Sequence, residues 1–307
     1  MLTNHYNSIL IVGPTASGKT QLAAHLANVI STEIISVDSR QVYRQLTIGS
    51  GKDLNEYLVN NTHIPYHLIN VADVNTEYHI HNYLQQYTQA FNNITINNKT
   101  PILCGGSMLY VNTLLTQAHY TGVPVNEELR ERLKLMSLPN LQVMYAQHTP
   151  LAHADTGHHK RIIRAIEIQH YLLNNIYTPL ALPQLTPLII GLISDVTERR
   201  KKIKDRLNLR LHNGLIEEVQ QLLQHHTTPE RLVRLGLEYK FVTHYFQKKI
   251  TKAELQEQLY NAICQYAKAQ MTWLRKIERE GNKIHWLTTE NDLKSKINYC
   301  THQFLMR

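Results

Sequence analysis

Apolar residues enter this chain in two rhythms. In its first third, short unbroken apolar runs alternate with segments whose apolar positions recur every three or four residues. The run Ser8–Val12 reads Ser-Ile-Leu-Ile-Val and predicts a strand buried on both faces. Leu22, Ala23, Leu26, Ala27 and Ile30 then fall on one helical face and predict a helix to about Ile30. Residues 33–37 predict a second strand ending at Asp38, and residues 67–71 a third, short one. Tyr83, Tyr87, Ala90, Phe91 and Ile94 mark a helix over 79–96. Residues 101–104 predict a further strand, which runs into Gly105-Gly106-Ser107 and a helix through Leu114. Strands and helices alternating in this way build a parallel sheet covered on both faces.

The rhythm breaks after about Thr116. Residues 117–183 hold two predominantly helical segments, 127–136 and 158–173, flanked by Pro124, Pro139, Pro150, Pro179 and Pro183, with no convincing strand. The sheet resumes at 188–193. Long helices follow over 197–212, 215–225 and 251–279, and residues 283–287 predict a closing strand. The last long helix opens on Thr251-Lys252-Ala253-Glu254, the spacing of a capping box.

Composition narrows the class. The 307 residues carry 32 Lys and Arg against 24 Asp and Glu, a formal net charge of +8. That balance permits a polyanionic partner, and the basic residues bunch in the second half, around Lys160, Arg199 to Arg210, and Arg231 to Lys249. No apolar stretch reaches the roughly 20 residues needed to span a bilayer, so no membrane association is expected. The start, Met1-Leu2-Thr3-Asn4-His5, carries no secretory pattern, so no leader is expected. Cys104, Cys264 and Cys300 are far apart and read as reduced thiols of a cytoplasmic protein. None of the 18 histidines shows a metal-ligand spacing. No feature demands an oligomer, and a monomer is expected.

The chemistry gathers at strand ends. Directly after the first strand, Gly13-Pro14-Thr15-Ala16-Ser17-Gly18-Lys19-Thr20 fits the phosphate-binding loop G-x-x-x-x-G-K-S/T. The backbone N–H groups of such a loop cradle an oligophosphate at a helix N-terminus. Lys19 neutralises phosphate charge, and the Thr20 hydroxyl can ligate Mg²⁺. With the alternation above, this predicts an α/β fold. A P-loop NTPase-like parallel sheet forms the core, from residues 1–116 and 184–307 with the C-terminal helices, and residues 117–183 form a helical insertion domain.

Asp38 opens Asp38-Ser39-Arg40-Gln41-Val42-Tyr43, at the carboxyl end of a strand expected to neighbour the P-loop strand. Open parallel sheets bind ligands along that edge. The carboxylate can hold Mg²⁺, take a proton from an attacking nucleophile, or only cap a helix. Gly105-Gly106-Ser107-Met108-Leu109-Tyr110 stands at another strand end, where Ser107 can bond substrate or cap the following helix. In Lys160-Arg161-Ile162-Ile163-Arg164-Ala165-Ile166-Glu167, Arg161 and Arg164 share a face while Ile162, Ile163 and Ile166 can pack inward. Arg206 and Arg210, one helical turn apart, can clamp a phosphate. Arg234-Leu235-Gly236-Leu237-Glu238-Tyr239-Lys240 adds a further basic segment.

Taken in order, six motifs carry a family resemblance. They are the P-loop, D-S-x-Q-V-Y at 38–43, G-G-S/T-x-L-Y at 105–110, K-R-I-I-R-A-I-E at 160–167, N-G-L-I-E-E-V at 213–219 and Q-Y-A-K-A-Q-x-T-W at 265–273. Together they resemble the tRNA dimethylallyltransferases, also called tRNA isopentenyltransferases, over nearly the whole chain. The resemblance implies transfer of a dimethylallyl group from dimethylallyl diphosphate to N6 of the adenosine just 3′ of the anticodon, position 37. Diphosphate leaves, and Mg²⁺ is the implied cofactor. By position, residues 15–20 and Arg210 would bind the donor diphosphate, and Asp38 would be the general base. Ser39, Arg40 and Gln41 would touch the flipped adenosine and its neighbours, and Ser107 would stand where the family has a threonine or serine. Lys160, Arg161, Ile162, Ile163 and Arg164, with Arg234, Tyr239 and Lys240, would contact the tRNA anticodon stem-loop. The chain departs from the family's compact G-Y-K/R segment by extra residues before Tyr239, and Arg40 stands where methionine is more usual. No C-terminal zinc finger of the eukaryotic kind is present, so a bacterial-type enzyme is expected.

Two other readings of the residues compete. One is a P-loop kinase of a nucleoside or small metabolite, with the insertion as a lid. The other is an RNA-binding protein with a vestigial loop, against which the intact Lys19-Thr20 pair and Asp38 argue.

Overall fold

A computed structural model describes residues 6–116, 119–152 and 154–305; the stretch 1–5, where no leader is expected, and residue 117, the expected start of the insertion, lie outside the described residues. The chain divides into two compact units, Met1–Leu115 with Pro183–Arg307, and Thr116–Leu182. In chain order the strands are β1 (Ser8–Val12), β2 (Ile34–Ser36), β3 (Leu58–Val59), β4 (Thr62–His63), β5 (Tyr66–His67), β6 (Ile102–Cys104), β7 (Pro187–Ile193) and β8 (Ile284–Thr288). The first helices are α1 (Lys19–Val29), α2 (Ile80–Ile96) and α3 (Met108–Thr116). The smaller unit holds α4 (Glu127–Lys134), α5 (Leu138–Ala146) and α6 (His159–Asn174). The larger unit continues with α7 (Val196–His212), α8 (Leu215–Gln224), α9 (Pro229–Leu235), α10 (Leu237–Phe246), α11 (Lys252–Arg279) and α12 (Leu293–Leu305).

The larger unit is built on a parallel six-stranded sheet in the order β5-β2-β6-β1-β7-β8. Every residue of β1 is buried, as the unbroken apolar run requires. Ile9 stands opposite both Ile102 and Leu188, so the P-loop strand is held from both sides. Leu22, Ala23, Leu26 and Ala27 of α1 pack into one core with Ile9, Ile11, Ile102 and Ile190. A second core gathers Ile203, Leu207, Val219, Leu232, Leu255 and Leu259 from the later helices around Val42, Tyr43 and Leu46. The segment after Asp38 is therefore fixed by residues more than 150 positions away, chiefly through burial of apolar surface.

Two expectations are corrected. The third strand ends at His67 and does not reach 71, because Leu68 and Asn70 take left-handed φ values of 62° and 60°. Val71 and Ala72 instead donate to the Val42 carbonyl at 2.8 and 2.9 Å, bracing the stretch after Asp38. Nor does β2 neighbour the P-loop strand: it pairs with β5 and β6, and β6 pairs with β1. The helices α5, α9, α10 and α12 were not legible as apolar periodicity. Pro139 reads as a connection, yet it sits in a first helical turn behind a capping Ser137, and Pro229 does the same behind Thr228, where no backbone donor is needed.

Among its described residues, the smaller unit is three helices around Leu129, Leu133, Leu141, Tyr145, Ile162, Ile163 and Ile166. Within it Glu167 is fully buried, and Arg130 grips it twice, at 3.0 Å from Nε and 2.8 Å from Nη2. That hydrogen-bonded partnership raises the Arg130 pKa. Glu167→Ala should destabilise this unit by about 3 kcal/mol, the lower end for breaking a buried pair because Arg130 keeps some contact with water. Faster hydrogen exchange of the α6 amides, with α1 unchanged, is the expected reading; unchanged α6 exchange would contradict it.

Candidate active site

The site is built where β1, β2 and β6 end. Gly18 takes φ 78° at the start of α1, a left-handed turn that glycine adopts without strain. In a loop of this kind the backbone amides at the helix start are the groups that meet a bound anion. Lys19 Nζ donates to the Pro14 carbonyl at 2.7 Å, so its ammonium is folded over the loop. Burial pulls its pKa down to about 8, the direction an anion in the loop would reverse. The Thr20 hydroxyl lies beside Glu56, a carboxylate whose own pKa is raised by burial and then by Asp53. Among the described residues, no group of three or more His, Cys, Asp or Glu could hold a metal ion. A cation here would rely on hard oxygens from Thr20 and Glu56 together with ligand phosphates, the mode that suits Mg²⁺.

Asp38 and Ser107 form the facing wall. Asp38 Oδ1 accepts the backbone N–H groups of Arg40 at 2.7 Å and Gln41 at 3.2 Å, which fixes the carboxylate in a turn. The Ser107 Oγ accepts Ser39 N–H at 2.9 Å, tying the end of β6 to the end of β2. Gly105 makes that close approach possible, since a Cβ there would lie 2.1 Å from the Val37 carbonyl oxygen. The Gln41 side chain accepts from Ser36 Oγ at 3.0 Å and donates to the Gly51 carbonyl at 3.2 Å.

A small cleft beside the loop is lined by Thr15, Ala16, Arg206, Arg210 and Glu238. Arg206 reaches Asp53 at 3.2 Å, and Arg210 reaches Glu238 at 3.2 Å. Among the described residues, Arg210 Nη2 and Ser17 Oγ are buried donors with no hydrogen-bond partner. One belongs to the P-loop and the other to the cleft beside it, and an anion bound there is an acceptor that could satisfy such donors. Burial raises the pKa of Glu238, and Arg210 opposes that shift.

Of the residues expected to touch tRNA, Ile162, Ile163 and Tyr239 are core instead, while Arg164 is half-buried. Ile162 and Ile163 are buried in the smaller unit. Arg164 hydrogen-bonds the Pro124 carbonyl at 3.2 Å and the Val123 carbonyl, and stands 3.6 Å from Glu167, so it braces its own unit. Tyr239 is 1% exposed, and its hydroxyl donates to Glu218 at 3.0 Å. The same Glu218 accepts the N–H groups of Thr47, Ile48 and Gly49, at 3.0, 2.7 and 3.1 Å. Tyr239 therefore anchors the loop that carries Gly51 to the two arginines. Lys160 and Arg161 are exposed, with Arg161 paired to Asp155, while Arg234 is exposed beside Glu77 and Lys240 lies over the Phe241 ring. Glu56, Glu218, Tyr266 and Gln270 were not singled out as site residues. The motifs at 213–219 and 265–273 contain three of them, and that clustering was the only signal in the chain itself.

Fold and site together define a P-loop protein whose sheet edge sets the G-x-x-x-x-G-K-T loop against the Asp38–Ser107 wall. The family model described as IPP transferase matches residues 41–277. A tRNA dimethylallyltransferase 2 of Bacteroides fragilis is 44% identical over 295 residues, covering 96% of each chain. A tRNA dimethylallyltransferase 2 of Porphyromonas gingivalis is 45% identical over 280 residues, 91% of this chain and 93% of the relative. Among solved structures, the tRNA isopentenylpyrophosphate transferase of Bacillus halodurans superposes with a TM-score of 0.70 at 28% identity, covering 97% of this chain and 95% of that one. A eukaryotic dimethylallyltransferase acting on tRNA shares the fold, with a TM-score of 0.78 at 22% identity over 98% of this chain and 80% of its own. The chain belongs to the IPP transferase family.

Proposed function

We propose that this chain transfers a dimethylallyl group from dimethylallyl diphosphate to N6 of adenosine 37 of tRNA, releasing diphosphate. The observation that carries the proposal is the sheet edge where the P-loop, with its orphaned Ser17 and Arg210 donors, lies beside the Asp38–Ser107 wall. The names and high coverage of the curated relatives support the reaction.

In this reading the P-loop amides, Lys19 and Arg210 hold the donor's two phosphoryl groups. The allylic C1 carries developing positive charge as its bond to the diphosphate oxygen breaks. The N6 nitrogen forms the new bond to C1, and its surplus proton passes to Asp38 Oδ2, because Oδ1 is occupied by the turn. The diphosphate leaves with its negative charge already faced by preorganised donors, and these supply most of the acceleration. Mg²⁺, held by Thr20 with Glu56 beside it, would add further charge neutralisation when bound. The adenosine must leave the loop stack to enter the site, and loop bases cost less to extrude than paired ones. One chain contains both halves of the site, so a monomer suffices, and a tRNA substrate fits a cytoplasmic location. Among the described residues, no helix is long and apolar enough to cross a membrane.

Incubation with labelled dimethylallyl diphosphate and total tRNA, followed by nucleoside analysis, tests the assignment. The expected product is N6-dimethylallyladenosine. Consumption of ATP with no labelled nucleoside would point instead to a kinase. The helical unit contributes the exposed Lys160 and Arg161 to the anticodon arm. A double Lys160→Ala, Arg161→Ala variant should weaken tRNA binding and lower the slope of log affinity against log salt by about 2. An unchanged slope would remove both residues from the interface.

A further inference from the structure

A glutamine sits on the buried face of the longest helix. Leu259, Ile263, Ala267, Met271 and Leu274 form that face of α11, and Gln270 stands among them at 3% exposure. A buried primary amide destabilises the fold unless both of its ends find partners. Both do, on two different loops. Gln270 Oε1 accepts the Thr15 N–H at 2.9 Å, and Nε2 donates to the Gly106 carbonyl at 2.8 Å. The partners fix the orientation of the amide, because one offers a hydrogen and the other a lone pair. One turn earlier on the same helix, the Tyr266 hydroxyl donates to that carbonyl at 3.2 Å. A Cβ at Gly106 would lie 2.5 Å from Gln270 Nε2, so the loop leaves room for the amide only as glycine.

The two loops joined in this way are the two halves of the site. Thr15 belongs to the phosphate cradle. Gly106 precedes Ser107, whose hydroxyl holds Ser39 beside Asp38. The sheet ties these halves together as far as the Gly105 N–H, which donates to the Ile11 carbonyl at 3.2 Å. Beyond that bond the chains leave the sheet, and the amide of Gln270 spans the gap from a rigid helix.

We propose that Gln270 is a positioning residue that sets the separation between the donor cradle and the Asp38–Ser107 wall, with Tyr266 reinforcing the bond to Gly106. The proposal rests on the assignment of those halves made above. Transfer requires N6 close to C1 and in line with the departing oxygen, and a misplacement of about 1 Å costs about 100-fold in rate. A strut that fixes the distance between the halves acts on the rate at saturation and leaves each half free to bind its own ligand.

Two variants test it. Gln270→Met keeps the length and removes both bonds. Gln270→Glu keeps an acceptor for Thr15 and sets a carboxylate against the Gly106 carbonyl. In both, equilibrium binding of dimethylallyl diphosphate and of tRNA should stay within about threefold of wild type, while the single-turnover rate at saturation falls about 100-fold. Retained donor binding reports that the P-loop is folded. Combining Gln270→Glu with Ser107→Ala should cost less than the product of the single effects, because both act through one wall. A Gln270→Glu rate within about threefold of wild type overturns the proposal. So does donor affinity that falls as far as the rate, which would make the residue a support of the P-loop alone, and so does full additivity with Ser107→Ala. Asp38→Asn run alongside separates the two readings: wild-type activity there would sink the acceptor assignment, whatever Gln270 does.

Discussion

Asp38→Asn should lower the transfer rate by about 10²- to 10⁴-fold, the range for losing a positioned general base. Asparagine is the sharper replacement because its side-chain oxygen can still accept from the Arg40 and Gln41 amides, so the turn survives. What disappears is the second oxygen, the one open to the incoming amine. Donor affinity should hold, since no phosphate contact is assigned to this residue, and kcat should fall together with kcat/KM. Asp38→Ala removes the turn as well and should be at least as slow. Rapid-quench single turnovers with saturating tRNA and donor give the number directly. A rate within a few-fold of wild type would show that the proton leaves by another route.

Lys19→Ala should produce the second large loss, about 10²- to 10³-fold in kcat, with donor KM rising as well. The ammonium is the positive charge carried by the loop itself, and its lowered pKa of about 8 shows how much solvent it has given up. Its bond to the Pro14 carbonyl is a resting contact, which a diphosphate in the cradle would displace. Affinity for tRNA should stay unchanged, since the basic residues assigned to the anticodon arm lie elsewhere. Steady-state kinetics in donor, with tRNA binding measured separately, distinguish this from general damage. A change of less than about tenfold in kcat/KM for the donor would place the diphosphate outside the loop.

The elements assigned to phosphate chemistry were legible because they are local. Ser8–Val12 is apolar at every position but its first, Gly18 answers a single backbone turn, and Thr251 with Glu254 caps α11 within four residues. The short helices were less legible. In α5 and α9 a proline in the first turn looks like a break until the capping hydroxyl before it is weighed. Residues 67–71 read as a strand by composition, yet two left-handed residues divide them between the sheet edge and the Val42 carbonyl. The sequence motifs marked Tyr239, Ile162 and Ile163 as important without saying how. Each is held inside by partners that the linear order does not reveal.

From the order of residues alone came the P-loop motif after β1, the carboxylate at a strand end, the alternating core and the helical segment between its halves, because each is written in neighbours a few positions apart. The tertiary structure decided the strand order that sets β6 between Asp38 and the P-loop, and the pairing of Arg210 with Glu238. It also decided the span of Gln270 across 255 positions to Thr15. Those contacts join segments far apart in the chain, and they exist only after burial of the two cores has brought the segments together.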